Sequence, residues 1–368
     1  MTTRSRALRV VQVGLHADVE RRPAEALLRA WPTLPAVAPA AARAGVDLAV
    51  VQAAHRDESL EQGGVPYHFL GDARRVRERV VALRPDVVHV NGLQHPRAAL
   101  RLAAALRGVP VLVQDHGSVP PVGWRRHAWR WAFAPVAGVA FTAREQAAPF
   151  VAAGVLRRDV PVFEVLESST AFAPGDRDAA RRATGMFGDP CLLWAGRLDA
   201  NKDPLTTLDA FGRAAARLPE ARLWCCFGKA PLLDVVRRRV AESPALRGRV
   251  RLLGTRPHAE MELRFRAADF FVQTSHREGS GYALLEAMAC GAVPLVTDIP
   301  AARRIVGAAG SLTPVGDAAA LGEAMVAWAE RAREPLRHAA RARFEDALTF
   351  DAVGRELRAA YECLAARA

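Results

Sequence analysis

The sequence predicts an α/β protein built from two doubly wound domains. Short β-branched runs alternate with longer segments whose apolar residues fall at helical spacing, the sign of βα units around a parallel sheet. At 368 residues the chain is too long for one typical core and suits two. The alternation lapses once, over "SSTAFAPGDRDAARRATGMFGDP" (168–190), a turn-rich stretch that reads as the linker.

Taken in order, the first-half strands are "LRVVQVGL" (8–15), "VDLAVVQ" (46–52), "DVVHV" (86–90), "VPVLVQ" (109–114), "GVAFTA" (138–143) and "PVFEVLES" (161–168). The second half supplies "CLLWAG" (191–196), "ARLWCCFG" (221–228), "RVRLLG" (249–254), "DFFVQTS" (269–275) and "AVPLVTD" (292–298). Between them, "PAEALLRAW" and "DPLTTLDAFGRAAARL" carry helical periodicity, and "FDAVGRELRAAYECLAARA" reads as a long amphipathic helix at the end. The domains expected are 1–170 and 171–345, with a helix over 346–368 closing the fold. In such sheets ligands bind beyond the carboxyl ends of the strands.

The formal charge is +12, carried mostly by arginine, which suits anionic partners or reflects a compositional habit. No nucleic-acid recognition motif accompanies it, so nucleic acid is not an expected partner. The five cysteines, Cys191, Cys225, Cys226, Cys290 and Cys363, form no C-x-x-C pair and read as buried thiols in a reducing compartment. No apolar run reaches about 18 residues without a charge, so the expected location is cytoplasmic, with any membrane contact peripheral on the inner face.

Two segments carry chemistry. In "SHREGSGYALLEAMACGAVPLVTD" (275–298), a strand ends at Ser275 and a helix is expected to open near Gly281 and Tyr282. Backbone N–H groups from Ser280 to Ala283 then lie at a helix start, where the dipole favours an anion. Gly279 and Gly281 let backbone approach a ligand closely. Glu278 lies ahead of the helix and Glu286 about one turn inside; each carboxylate suits paired hydroxyls, one on a sugar and one on a ribose. The plainer reading makes Glu278 a helix-entry acid and Glu286 a solvated charge. In "LLWAGRLDANKDPLTTLDAF" (192–211), Gly196 ends a strand and Arg197 and Lys202 follow before the next helix. A guanidinium fork and an ammonium beyond a strand end suit a diphosphate leaving group, against ordinary loop solvation as the alternative.

These two segments in this order resemble the retaining glycosyltransferases of family 4, whose fold is GT-B: two Rossmann-like domains facing across a cleft. Glu278 and Glu286 meet the E-x7-E spacing, and Ala289, Gly291 and Pro294 meet the A-x-G-x-P turn. Lesser matches are "RVRLLGTRPHAEMELRFRAADFFVQTS" (249–275), "RPDVVHVNG" (84–92) and "VPVLVQDHG" (109–117). The resemblance implies that Glu286 binds the nucleotide ribose and Glu278 contacts the transferred sugar. It implies that amides at Ser280, Gly281 and Tyr282 meet sugar and phosphates beside the donor-side Gly279, and that Arg197 and Lys202 stabilise the departing diphosphate. Gly196, Gly228 and Arg256 are further donor-side positions, with the base held through backbone groups near Gly254–Arg256. His116, in "QDHG", matches a histidine near donor sugar and acceptor; a lone strand-end histidine is otherwise a structural hydrogen-bonder. The implied reaction retains anomeric configuration and uses neither metal nor cofactor. A UDP or GDP sugar is the expected co-substrate and a hydroxyl on a glycan, glycolipid or small molecule the acceptor.

The chain also departs from the family. Where a glycine-rich loop that touches phosphate and acceptor is usual after the first strand it has "VGLHADVERRP", leaving Gly14 alone as a donor-side position, with His16 and Asp18 behind it. Ser280 stands where an aromatic is usual, and Glu167–Ser168 replaces an Asn-Gly pair. "DRD" (Asp176 to Asp178) has the form of a metal-binding motif of other glycosyltransferases, but acids there also suit a helix start. "GWRRHAWRWAF" (123–133) reads as an amphipathic helix packing its tryptophans on the N-terminal domain, or as a seat on anionic headgroups or a lipid-linked acceptor. Rival functions are a nucleotide-sugar epimerase of the same fold and a catalytically silent sugar-nucleotide binder. The retained Arg197, Lys202, Glu278 and Glu286 argue against both.

Overall fold

The structure, a computed structural model, describes residues 6–367. The chain divides into two compact units: one runs through Ser169 and resumes at Thr349, and the other spans Thr170–Leu348. The first unit carries β1 (Arg9–Gly14), β2 (Asp47–Ala53), β3 (Glu58–Gln62), β4 (Val65–Leu70), β5 (Val87–Asn91), β6 (Val111–Gln114), β7 (Gly138–Phe141) and β8 (Val162–Glu164). Their order is β3-β4-β2-β1-β5-β6-β7-β8, and all pairs are parallel except β3 with β4. The second unit carries β9 (Cys191–Gly196), β10 (Arg222–Phe227), β11 (Val250–Gly254), β12 (Phe270–Gln273), β13 (Val293–Thr297) and β14 (Ser311–Thr313), in the order β11-β10-β9-β12-β13-β14.

All eleven strands expected from the sequence are present. Helices flank parallel strands on both faces, so these strands read as unbroken apolar runs: β5, β6, β7, β12 and β13 are buried almost throughout. Three strands were not expected. β3 is a polar edge strand with no such run, joined to β4 through Gly63 and Gly64, both at positive φ as a two-residue hairpin turn requires. β14 is three residues long. Pro294, which completes the A-x-G-x-P motif, lies within β13 opposite Phe271, inside the strand expected over 292–298.

Each sheet has one point where the chain reverses its direction of strand addition. It falls between β1 and β5 in the first unit and between β9 and β12 in the second. The loops leaving these strands are where a doubly wound sheet opens a crevice.

The expected linker is partly helical. Asp176 caps the helix Arg177–Thr184 by accepting from the Ala179 N–H, and Gly185 at φ 67° ends it. Arg177 and Arg181 from this helix hold the buried Asp269 carboxylate at 3.1 and 2.8 Å, and Asp269 also accepts the Cys191 N–H. That cluster pins the helix to the amino ends of β9 and β12.

The last helix, Phe350–Ala365, belongs to the first unit, where it packs on the helix Leu34–Arg43. Gly354 permits the contact, since a Cβ there would stand 2.4 Å from the Ala40 carbonyl oxygen. Tyr361 buries its hydroxyl 2.7 Å from His89 Nδ1 and accepts from Gln12 Nε2. Burial lowers the His89 pKa to about 3, so its neutral ring can accept from Tyr361. Of the tryptophans in 123–133, only Trp129 packs inward, edge-on to Phe133; Trp124 and Trp131 are 73% and 71% exposed.

Candidate active site

The second unit's switch point gathers most of the residues singled out from sequence. Arg197 and Lys202 lie on the loop leaving β9, while Glu278, Gly279, Ser280 and Gly281 lie on the loop leaving β12. Side chains and backbone lace the two loops together. Thr274 Oγ1 donates to the Lys202 or Asp203 carbonyl and meets Thr207 Oγ1 at 2.8 Å. The His276 N–H donates to the Asn201 carbonyl, and Asn201 Nδ2 to that of Arg277. Asp203, in the left-handed region at φ 43°, caps the helix Pro204–Ala214 and meets His276 at 3.1 Å.

Lys202 and Glu278 form an ion pair between the loops, with side chains only 19% and 12% exposed. Gln273 Nε2 donates to the same carboxylate oxygen at 2.7 Å. A pair this sheltered holds its geometry far better than an exposed one. Arg197 is 55% exposed and swings back to Asp199, whose other oxygen accepts the Lys202 N–H. Asp199 therefore holds the Arg197 side chain and the Lys202 backbone.

Gly281 enters the helix Tyr282–Ala289 at φ 64°, a left-handed conformation that explains the glycine. Ser280 is buried beside it and Tyr282 is exposed. Inside the helix, the shielded Glu286 carboxylate lies 2.7 Å from Nε2 of His258, whose ring stacks on Phe172 at 4.8 Å. Burial raises the Glu286 carboxyl above the usual carboxylate range, and His258 pulls against that shift. Gly228 and Arg256 sit past the ends of the neighbouring strands β10 and β11, both exposed. A Cβ at Gly228 would meet nothing, and one at Gly196 would make only ordinary contacts, so packing does not require glycine at either.

Gly14 and His116 belong to the first unit. A Cβ on Gly14 would fall 1.8 Å from Gln52 Oε1, so any larger residue there would displace the Gln52 amide from the His16 carbonyl it donates to. The loop beyond it is built around buried Asp18, which accepts the Arg22 N–H and pairs with the Arg22 side chain. His116 follows β6, with Nδ1 3.4 Å from the Glu167 carboxylate and its side chain 30% exposed. Burial opposes the imidazolium, but Glu167 and Asp115 outweigh it and raise the pKa above 6.5. Glu167, noted only as a departure at sequence level, is thus the carboxylate that favours the protonated form of His116. Gln273 and His258 were not singled out, because each contacts its carboxylate through the fold rather than at a helical or strand spacing.

Both halves of the chain match known families. The family model described as Glycosyltransferase Family 4 matches residues 34–160, and that described as Glycosyl transferases group 1 matches residues 189–331. The chain belongs to glycosyltransferase family 4. Among known relatives, the GDP-mannose:cellobiosyl-diphosphopolyprenol alpha-mannosyltransferase of Xanthomonas oryzae is 26% identical over 61% of this chain and 59% of its own length. The D-inositol 3-phosphate glycosyltransferase of Mycobacterium tuberculosis is 36% identical over 33% of this chain and 25% of its own. This chain therefore spans less than two thirds of either relative. Sucrose-phosphate synthase from Thermosynechococcus elongatus superposes with a TM-score of 0.70 at 17% identity, over 98% of this chain and 100% of that one. Anabaena HepE, solved in complex with UDP and glucose, gives 0.69 at 16% identity over 97% and 100%. At these identities the likeness carries the fold, which is GT-B.

Proposed function

We propose that this family 4 member transfers a sugar, with retention, from a nucleoside diphosphate donor to a hydroxyl acceptor. The observation that carries the reading is the sheltered Lys202–Glu278 pair at the second unit's switch point, with Arg197 on the same loop. An incoming diphosphate competes for both cations: Lys202 exchanges part of its pairing with Glu278, and Arg197 leaves Asp199. The freed Glu278 oxygens then accept from sugar hydroxyls, while Gln273 keeps the carboxylate in place. Glu286 makes the same exchange on the ribose side, giving up His258 for paired hydroxyls.

In this reading Arg197 and Lys202 hold the charge that builds on the leaving oxygen, the task a metal ion performs elsewhere. The acceptor attacks from the face the diphosphate leaves, and no protein nucleophile is assigned. His116, with Nδ1 turned to Glu167, leaves Nε2 to exchange a hydrogen bond with a hydroxyl at the carboxyl end of its own sheet, accepting when the ring is neutral and donating when it is protonated. GDP-mannose and UDP-glucose are the donors to try first, given the Xanthomonas relative's name and the nucleotide in HepE.

Release of free nucleoside diphosphate tests the proposal. Turnover with one of these donors that collapses in Lys202→Ala supports it. Donor binding without any release across UDP and GDP sugars, with glycan, glycolipid and small-molecule acceptors supplied, would mark a silent binder instead.

A further inference from the structure

The first unit bears a surface that the transfer chemistry leaves unused. On the helix Arg125–Phe133, Trp129, Ala132 and Phe133 face the core. On the opposite face Trp124, His127 and Trp131 form an exposed ridge at i, i+3 and i+7, with Arg126 and Arg130 beside it. The preceding loop adds Val119 and Val122, at 51% and 83% exposure. Large apolar side chains so open to water are singled out by solvent, and four of the ten such residues described fall in this one segment.

Its charge is one-sided. From Val87 to Arg144 the chain has seven arginines and a single acid, Asp115. That acid is buried and accepts the Gly117 and Ser118 N–H groups, so it contributes nothing to the surface. The neighbouring helix Pro96–Ala105 packs against the tryptophan helix and adds exposed Arg97 and Arg101. Between the two lies an open depression of about 360 Å³ walled by His95, Arg97, Trp124, Arg125 and Trp129. His95 Nε2 is buried at its edge with no hydrogen-bond partner.

We infer that this face docks on an anionic lipid bilayer. Trp124 and Trp131 enter the headgroup layer with Val119 and Val122, and the arginines meet lipid phosphates. Indole rings settle at that depth because one edge is apolar and the N–H is polar, and arginines reach phosphates on flexible stems. The depression between the helices takes one phosphate, giving Arg97 and Arg125 a counter-ion and His95 Nε2 a partner. An acidic protein surface would match the arginines, but the exposed apolar set of Val119, Val122, Trp124 and Trp131 suits a headgroup layer better. The docking is independent of the sugar-transfer proposal, and either can fail alone.

The test is co-sedimentation of the full chain with vesicles of phosphatidylcholine, with and without phosphatidylglycerol, alongside tryptophan emission. The chain is expected to bind the mixed vesicles, not the zwitterionic ones, with a blue shift and with affinity falling as salt rises. Replacing Arg125, Arg126 and Arg130 together by Gln is expected to lower partitioning about a hundredfold. Replacing Trp124 and Trp131 by Ala should lower it at least about tenfold, with far-UV circular dichroism and melting unchanged. If either variant misfolds, quenching of the unaltered protein by brominated lipid decides in its place. Equal binding to both vesicle types, no quenching, or displacement from vesicles by single-stranded RNA or inorganic phosphate at constant ionic strength would overturn the inference.

Discussion

At the scale of single residues, the structure turns two sequence features into specific electrostatic assignments. Lys202 and Glu278 are partners before any ligand arrives, so each variant carries information about the other. Lys202→Ala is expected to lower turnover about 10²–10³-fold by removing a preorganised charge, with the melting temperature measured alongside to separate rate from folding. His116 supplies a pH prediction. Its folded pKa lies above the ordinary 6.5 because Glu167 and Asp115 stabilise the imidazolium against the cost of burial. That stabilisation is fully present below 6.5 and is lost as pH rises through the higher folded value. Glu167→Gln should bring the imidazole titration, followed by NMR, back down in pH and shrink the loss of stability on the alkaline side. An unmoved titration would show that Glu167 does not set the charge. Sequence alone marked Glu278, Glu286, Arg197 and Lys202 because each stands at a fixed offset from a strand end or helix start. It could not mark Glu167 as the partner of His116, because fifty-one positions separate them and only the parallel order of β6, β7 and β8 brings them together.

At the scale of elements, legibility followed the unbroken apolar run. Most strands covered on both faces showed one, but β4, though largely buried, is interrupted by Pro66 and His68, and β3 is polar at a sheet edge and left only its glycine pair as a signal. The helix Arg177–Thr184 was hidden by the turn residues around it, although Asp176 was correctly legible as suited to a helix start. Its attachment makes a stability prediction. Asp269→Ala strands two arginines beside a buried gap and removes the acceptor for the Cys191 N–H, so it should cost about 3–5 kcal/mol in denaturant unfolding. Gly354→Ala should cost about 1–3 kcal/mol despite alanine's better helix propensity, because the added Cβ meets the Ala40 carbonyl oxygen. A neutral effect would mean that the two helices separate at little cost.

At the scale of the whole molecule, chain order and unit membership differ at one place. The sequence shows a final amphipathic helix but not its destination, since an apolar stripe states that it packs and not against what. It joins the first unit, whose buried Gln12 and His89 receive Tyr361. Among the described residues no helix is long and apolar enough to cross a membrane. Because the proposed donor residues lie within Thr170–Leu348, a nucleotide sugar at about 100 times its Kd should raise the stability of that unit by about 2.7 kcal/mol.

The central claim is that the charged loops at the second switch point manage a diphosphate leaving group. Nucleoside diphosphate release from a productive donor, compared between the chain and the Arg197→Ala/Lys202→Ala variant, tests it most directly. The account predicts loss of at least about 10³-fold in the variant with its melting temperature close to that of the parent. Release at an undiminished rate by a folded double variant would contradict it.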